Sequence, residues 1–249
     1  MNNVVVGKNA VLQLLLTGHK INQILINRNS KHDERINYII ELADNAKTPY
    51  RFVDQRDLTE KCRNVKHQGI IAYIPKRQFS EVEDIIDLAK SKNEKPFILI
   101  LDGIEDPHNF GSIIRSSVAA GVHGIIVPKV KQADITPIVS KVSTGAVEQI
   151  LIAKVANIAT TIDALKAENI WIIGTEMNAP TSYSDQDYDM GIGLVIGNEG
   201  KGMSRLVKEK CDFLVQIPIC DTIDSLNASV SAGIMIFKIK EVKDKIKGN

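Results

Sequence analysis

At 249 residues, with 44% hydrophobic and 24% charged side chains, the chain can form one large or two modest domains and needs no disulfides or metals to stabilise a core. Cys62, Cys211 and Cys220 are odd in number and far apart, without a C-x-x-C pair, which argues against a disulfide framework and a zinc site and fits a reducing cytosol. No apolar run approaches the ~18–20 residues of a membrane span, and the N-terminus has no basic n-region, so a cytoplasmic protein with no membrane or metal partner is expected.

The formal net charge of +1 conceals an asymmetry. Residues 1–77 carry 13 Lys and Arg against 7 Asp and Glu, which leaves 18 of the 31 bases and 23 of the 30 acids for residues 78–249. A basic first third on an acidic remainder points to a polyanion meeting the first part. Chance offsets on solvated faces produce the same imbalance, and charge alone does not choose between the two.

In chain order, Ala10–Leu16 reads as a short helix ending near Gly18 and Ile21–Ile26 as a strand. Arg35–Ala46 reads as an amphipathic helix with Ile36, Ile39, Ile40 and Ala43 on one face. Arg51–Val53 and Gly69–Ile74 read as further strands, and Pro75 stops the last because proline cannot donate to a ladder. The stretch 76–95, with a helical segment near Glu81–Ala89, reads as a linker between a domain over 1–75 and another over 96–249.

From Pro96 onward the pattern changes. Phe97–Leu101, Gly124–Val127, Ile170–Ile173 and Leu194–Ile196 are continuous apolar runs, as expected of strands covered on both faces. Helical patterns at Gly111–Ala120, Ile158–Ala167 and Met203–Lys208 separate them, and Leu226–Lys247 closes the chain as a long helix. Strand and helix alternating in this way predict an α/β domain with a parallel sheet.

Three segments carry candidate chemistry. In the first, Leu101–Arg115, a buried strand runs into a polar loop that feeds a helix, the place where open parallel sheets put their ligands. Asn109 is a candidate N-cap, and Arg115, in apolar company, calls for an anionic partner, either an internal carboxylate or a bound phosphate. In the second, Leu194–Ser204, Gly197, Gly200 and Gly202 let the backbone turn sharply and approach a ligand. The order is neither the dinucleotide fingerprint nor a phosphate-cradling loop, and Glu199 at its centre lifts it above a plain turn. In the third, Phe213–Ile219 reads as a strand ending at Pro218, and Thr222–Ile234 opens the last helix with capping residues and with small ones that admit a neighbouring backbone or a flat ligand. Ser225 and Asn227 there are also ordinary N-cap candidates.

Taken together, N-F-G-S-I-I-R, I-G-N-E-G-K-G-M and I-P-I followed by S-L-N-A-S-V-S-A-G-I resemble the three motifs of the SpoU (TrmH-type) family of the SPOUT superfamily, in order and spacing, over about residues 97–240. The first ~75 residues resemble the L30e-like substrate-binding domain of the ribosomal-RNA members, and within the family the likeness is strongest to enzymes that methylate a guanosine 2′-hydroxyl in 23S rRNA. The resemblance implies a C-terminal domain with a parallel sheet and a deep trefoil knot, S-adenosyl-L-methionine as cofactor, and a homodimer that uses the last helix. It implies that Gly174, Thr175, Gly197, Ile217 and Leu226 border the cofactor. Arg115, Asn109, Glu199, Ser225 and Asn227 are implied as the catalytic set.

The chemistry constrains the roles within that set. A guanidinium stays protonated at accessible pH, so clamping a phosphate and stabilising a developing alkoxide suit Arg115 better than acting as base. Glu199 would orient Arg115 or take the proton, while Asn109, Ser225 and Asn227 hold the ribose and Arg115. Lys8, Lys20, Arg28, Lys31, Arg51, Arg63 and Lys66 are candidates for RNA phosphates. Rival readings are a tRNA ribose methyltransferase, a non-catalytic RNA-binding factor on the same fold, a resistance methyltransferase acting on rRNA adenosine, and, on the α/β pattern alone, a nucleotide-dependent oxidoreductase.

Overall fold

The structure is a computed structural model that describes residues 3–16, 18–30, 33–62, 67–75, 78–220, 222 and 225–247. It divides into two compact units, Met1–Gln78 and Phe79–Asn249.

The first unit runs β1 (Asn3–Val6), α1 (Lys8–Leu16), β2 (Gln23–Asn27), a 3-10 turn (Arg28–Ser30), α2 (Glu34–Asn45), β3 (Tyr50–Val53), α3 (Gln55–Lys61) and β4 (Ile70–Ile74). Its sheet has the order β1-β4-β2-β3, with β4 antiparallel to β1 and β2, and β2 parallel to β3. Alternation decides what each face packs on. Ile24, Ile26, Ile70 and Ala72 meet Val11, Leu14, Ile36, Ile39 and Ala43 of the two longer helices. Leu25 and Ile71 turn to the other face and meet Val53, Leu58 and Cys62. α2 starts where Asp33 Oδ1 accepts the amides of Arg35 and Ile36, both at 3.1 Å. Two elements were not expected. β1 is short, and α3 buries only Leu58, so neither presents a period to read.

The second unit runs α4 (Val82–Ser91), β5 (Phe97–Asp102), α5 (Pro107–Ala120), β6 (Gly124–Pro128), α6 (Pro137–Val142), a 3-10 turn (Ala146–Gln149), β7 (Leu151–Val155) and α7 (Ile158–Ala167). It continues through β8 (Trp171–Thr175), β9 (Thr181–Ser182), β10 (Ile192–Gly197), α8 (Arg205–Lys210), β11 (Phe213–Gln216) and α9 (Ala228–Lys247). The sheet order is β7-β6-β5-β10-β8-β11-β9, and each of these pairings is parallel. Its central strands are covered on both faces. Phe97, Leu99 and Leu101 point into a core with Ile113 and Ile114 of α5 and Ala232, Met235 and Ile236 of α9. Ile98 and Ile100 point into a second core with Ile85 of α4, Ile162 of α7 and Val207 of α8.

Much of the stretch read as a linker belongs to this second unit. α4 begins with a capping box in which the Glu81 amide donates to Asp84 Oδ2 at 2.8 Å, and it buries Ile85, Ile86 and Ala89. Ile85 packs so tightly on β6 that a Cβ on Gly124 would stand 2.5 Å from its Cγ1. The helical segment read near Glu81–Ala89 is therefore α4, and its buried face packs on the second unit's sheet.

From β5 the chain steps outward to β6 and β7, then returns past β5 to build β8, β10 and β11 on the other side. The order therefore reverses between β5 and β10, whose last residues, Asp102 and Gly197, are register partners. Loops leaving two such strands diverge to opposite faces and leave a crevice at their carboxyl ends.

His123, 3% exposed, ties the amino edge of β5 to its surroundings. Its Nδ1 accepts the Phe97 amide at 3.0 Å, so Nε2 carries the proton and faces Glu94 Oε2 at 3.0 Å. Burial pushes the His123 pKa down, and the Glu94 carboxylate opposes that only in part. The native state thus holds His123 neutral while the unfolded chain protonates it near pH 6.5. Its contribution is complete above that value and is lost as pH falls toward the lowered native pKa, by at most about 1.4 kcal/mol per pH unit. Denaturant melts of wild type and His123→Gln from pH 7.5 to 5 should show a steeper loss for wild type below about 6.5. Parallel profiles would contradict this.

Candidate functional site

The crevice is framed by the loops that leave β5, β8, β10 and β11. After β5, Asp106 and not Asn109 caps α5: its Oδ1 accepts the amides of His108 at 2.7 Å and Asn109 at 2.8 Å, with Pro107 at the first helical position. Asn109 therefore lies within the first turn, and its side chain is available for other partners.

After β10 the chain doubles back on itself. Asn198 and Gly202 exchange backbone hydrogen bonds of 3.0 and 2.8 Å, and Asn198 Oδ1 accepts the amides of Gly200 at 2.9 Å and Lys201 at 3.3 Å. A Cβ on Gly197 would stand 2.3 Å from the Gly202 carbonyl carbon, so only glycine permits the return. Two bonds fasten this loop to the end of β5: Asn198 Nδ2 donates to the Gly103 carbonyl at 2.7 Å, and Asp102 Oδ2 accepts the Ser204 amide at 2.6 Å. Asp102 was missed in the sequence because an acid at a strand end has many routine uses.

After β11 the chain reaches α9, which Asn227 caps. Its Oδ1 accepts the amides of Ser229 at 2.9 Å and Val230 at 3.3 Å, together with the Ser229 hydroxyl at 2.6 Å. With the oxygen so engaged, Nδ2 must face the other way, and it donates to Asn109 Oδ1 at 3.0 Å and Glu199 Oε1 at 2.9 Å. Asn109 Nδ2 also donates to Glu199 Oε1. One residue from each of the three segments thus joins a single side-chain network.

Beside it lies a cleft of about 380 Å³. Of the residues implied at the cofactor, Thr175, Gly197, Ile217 and Leu226 line it, as do Glu199 and Ser225. Gly174 does not: a Cβ there would stand 2.8 Å from both Cys211 Sγ and Met203 Cε, so it is covered from behind. Thr175 is steadied by donating its hydroxyl to the Val195 carbonyl at 3.2 Å. The lining also includes Glu176 and Met177, which sequence reading passed over, and Ser231 from the small-residue turns of α9. Glu176 is held by Lys208 of α8 at 2.9 Å. Behind the lining, burial pushes the Cys211 thiol up to about 12, which leaves it an inert packing group.

Arg115 stands apart from the network. It is exposed rather than buried, and no ion pair joins it to a carboxylate of the described residues. Six residues beyond Asn109 on α5, it lies about 9 Å along the axis and about 120° around it. The described hydrogen bonds of Glu199 go to Asn109 and Asn227, not to Arg115.

In the first unit, Lys8 is paired with Asp33, and Arg28 lies 3.5 Å from Asp54 with both side chains largely exposed. Lys20 and Arg51 are exposed, whereas Lys31, Arg63 and Lys66 lie outside the described residues.

Comparison with known proteins agrees with this layout. Residues 96–237 match the SpoU rRNA Methylase family, and residues 4–80 match the RNA 2′-O ribose methyltransferase substrate binding family. The Bacillus subtilis protein YacO, named for the TrmH family of tRNA/rRNA methyltransferases, is 40% identical over 98% of both chains. A Staphylococcus aureus protein named for the same family is 42% identical over 96% of this chain and 95% of its own. Among solved structures, the SpoU methyltransferase AviRb of Streptomyces viridochromogenes, in complex with AdoMet, superposes with a TM-score of 0.67, covering 100% of this chain and 92% of its own at 22% identity. The A. aeolicus TrmH/SpoU tRNA modifying enzyme has a TM-score of 0.57 and 26% identity over 66% of this chain and 85% of its own. With more than half its length matched by the first of these families and with relatives of 40% identity along nearly all of it, the chain belongs to the SpoU rRNA methylase family of methyltransferases.

Proposed function

We propose that the protein is a cytosolic enzyme that transfers a methyl group from S-adenosyl-L-methionine to the 2′-hydroxyl of a guanosine in 23S rRNA. The observation that carries this reading is the network of Asn109, Glu199 and Asn227 at the rim of a cleft closed on one side by the Gly197–Gly202 loop.

The cleft suits the cofactor. Its size falls within the range of small-molecule sites, and its wall mixes aliphatic side chains such as Ile217 and Leu226 with main chain near Gly197 that no Cβ shields. When bound, the cofactor supplies a methyl group on a positively charged sulfur, an electrophile that needs no activation by the protein. What remains for this chain is to position the hydroxyl, stabilise its developing negative charge and receive its proton. Asn109 and Asn227 hold Glu199 Oε1 in place, and Glu199 is the group in the network able to take the proton. Arg115, charged at accessible pH and exposed on α5, clamps the substrate phosphate and stabilises the alkoxide. Ser225 completes the ribose contacts from the cleft wall.

The trefoil knot is part of this proposal, formed where the segments around β10 and β11 thread to make the cofactor wall. So is a homodimer. Val230 and Phe237, 50% and 47% exposed, stand seven residues apart on α9 and therefore on one helical face, an apolar stripe suited to a second copy. Sedimentation should give a dimer that Phe237→Glu converts to monomer. A wild-type monomer at micromolar concentration would contradict the stripe's role.

The decisive assay offers labelled cofactor with a 23S rRNA transcript and with bulk tRNA, and maps the product by mass spectrometry. A 2′-O-methylguanosine in 23S rRNA is the expected result; label in tRNA alone would favour the tRNA reading, suggested by the likeness to the A. aeolicus enzyme. Arg115→Ala should lower kcat about 10²–10³-fold, as loss of one charge-stabilising donor does, with cofactor affinity unchanged. Full kcat in that variant would remove Arg115 from the mechanism.

The two units have separate cores. A protein restricted to residues 79–249 should fold, bind cofactor by calorimetry and lose rRNA methylation, because the phosphate contacts of the first unit are gone. Methylation of 23S rRNA at the wild-type rate by this shorter chain would refute that division of labour.

A further inference from the structure

The second unit is acidic overall, yet the loop leaving β6 puts two lysines at the carboxyl edge of the sheet, where the candidate site lies. Lys129 and Lys131 are both exposed, and neither is ion-paired with a carboxylate of the described residues. Nearby acids are partly engaged: Asp134 is paired with Lys154 at 2.7 Å, Asp102 accepts the Ser204 amide and Asp106 caps α5, while Asp134, Asp106 and Glu105 all remain exposed. Between the lysines, Val130 is held out at 68% exposure.

The loop is fastened, and at some cost. The Lys129 amide donates to the Val155 carbonyl at 2.9 Å, and the Ala133 amide to the Ile104 carbonyl at 2.8 Å. Gln132 Oε1 accepts the Ile104 amide at 3.2 Å, which leaves its Nε2 enclosed with no hydrogen-bond partner among the described residues. Lys131 has φ of 56°, the left-handed region that a side chain disfavours. An enclosed unpaired donor and a left-handed lysine are both unfavourable, and the bonds from the Lys129 and Ala133 amides hold the segment in this shape.

The bonds also say where it is held. The Lys131 carbonyl lies 3.5 Å from the position a Cβ on Gly103 would take, and the Gly103 carbonyl accepts Asn198 Nδ2 at 2.7 Å. Asn198 directly precedes Glu199. One backbone contact and one hydrogen bond therefore connect the lysine loop to the loop that carries the network.

We propose that Lys129 and Lys131 form a phosphate-binding rim that holds the RNA strand next to the nucleotide being methylated. This rests on the reading of the protein as an RNA methyltransferase. Each lysine neutralises one phosphate and displaces its counterions, so their removal lowers both RNA affinity and its dependence on salt. The contact is to the backbone, so it positions the strand without reading bases.

The test uses the full chain and a 23S rRNA transcript, measuring affinity by filter binding across a salt series, methylation with labelled cofactor, and cofactor affinity by calorimetry. Lys129→Ala with Lys131→Ala should reduce the slope of log affinity against log salt by about 1.4, the value for two contacts to single-stranded RNA, and weaken binding about tenfold. Cofactor affinity should not change. Lys90→Ala with Lys92→Ala removes the same charge at the opposite edge of the sheet and should leave the slope at its wild-type value. An unchanged slope in the first variant, an equal fall in the control, or a wild type that binds no RNA would overturn the rim. A lowered slope in a protein whose wild type methylates no RNA would support the rim while refuting the methyltransferase reading.

Discussion

The site depends on how Asn227 divides its side-chain amide. The oxygen is committed to the first turn of α9, where three donors from Ser229 and Val230 need it. That commitment orients the nitrogen, which then reaches two residues from distant parts of the chain, Asn109 and Glu199. The helix cap and the anchor of the network are thus one side chain, with its oxygen serving the first and its nitrogen the second. Aspartate there would keep the cap and lose both donors, placing a second carboxylate against Glu199. Serine would keep the cap and fall short of the network.

What Asn227 reaches for has to be delivered by the sheet. Asp102 and Gly197 end adjacent parallel strands in register, so the segments that follow start side by side. The first goes straight into a helix because Asp106 and Pro107 start one at once. The second cannot, because the chain turns back until Gly202 bonds Asn198, a return possible only over a residue with no Cβ. The result is a short helical arm on one side and a tight loop on the other, at a separation that amide and carboxylate side chains can span. Asp102 and Asn198 then lock the two together from below.

Much of the fold was legible because burial on two faces leaves unbroken apolar runs, and Phe97–Leu101 and Leu194–Ile196 read correctly for that reason. α7 was legible to the residue, since Asn157 caps it and its apolar positions repeat at helical spacing. β7 was not found although Ile150–Ala153 is an apolar run like those of its neighbours, and α3 was not because it buries only Leu58. At the site, Asn109 was misread as a cap although the Asp-Pro pair just before it carries the stronger signal. The three segments were separately visible, but the bond between Asn109 and Asn227 spans 118 residues, and no local pattern encodes a pairing of that range. Family likeness supplied it where periodicity could not. The apolar setting expected of Arg115 differs for the opposite reason: Ile113 and Ile114 just before it turn to other, buried faces of the helix, and the guanidinium is exposed.

That exposure bears on where charge is needed. A carboxylate at the centre of the network repels the phosphates of an approaching RNA, and the second unit is acidic besides. Attraction must therefore come from positive groups placed around Glu199 without being neutralised by it. Arg115, off the network and on a different face of α5 from Asn109, carries a charge that Glu199 does not neutralise. Three carboxylates near the sheet's carboxyl edge are engaged, Asp102 by a backbone N–H, Asp134 by Lys154 and Glu176 by Lys208, whereas Glu105 stays exposed. An acid whose charge is spent on internal donors repels a polyanion less than one facing solvent.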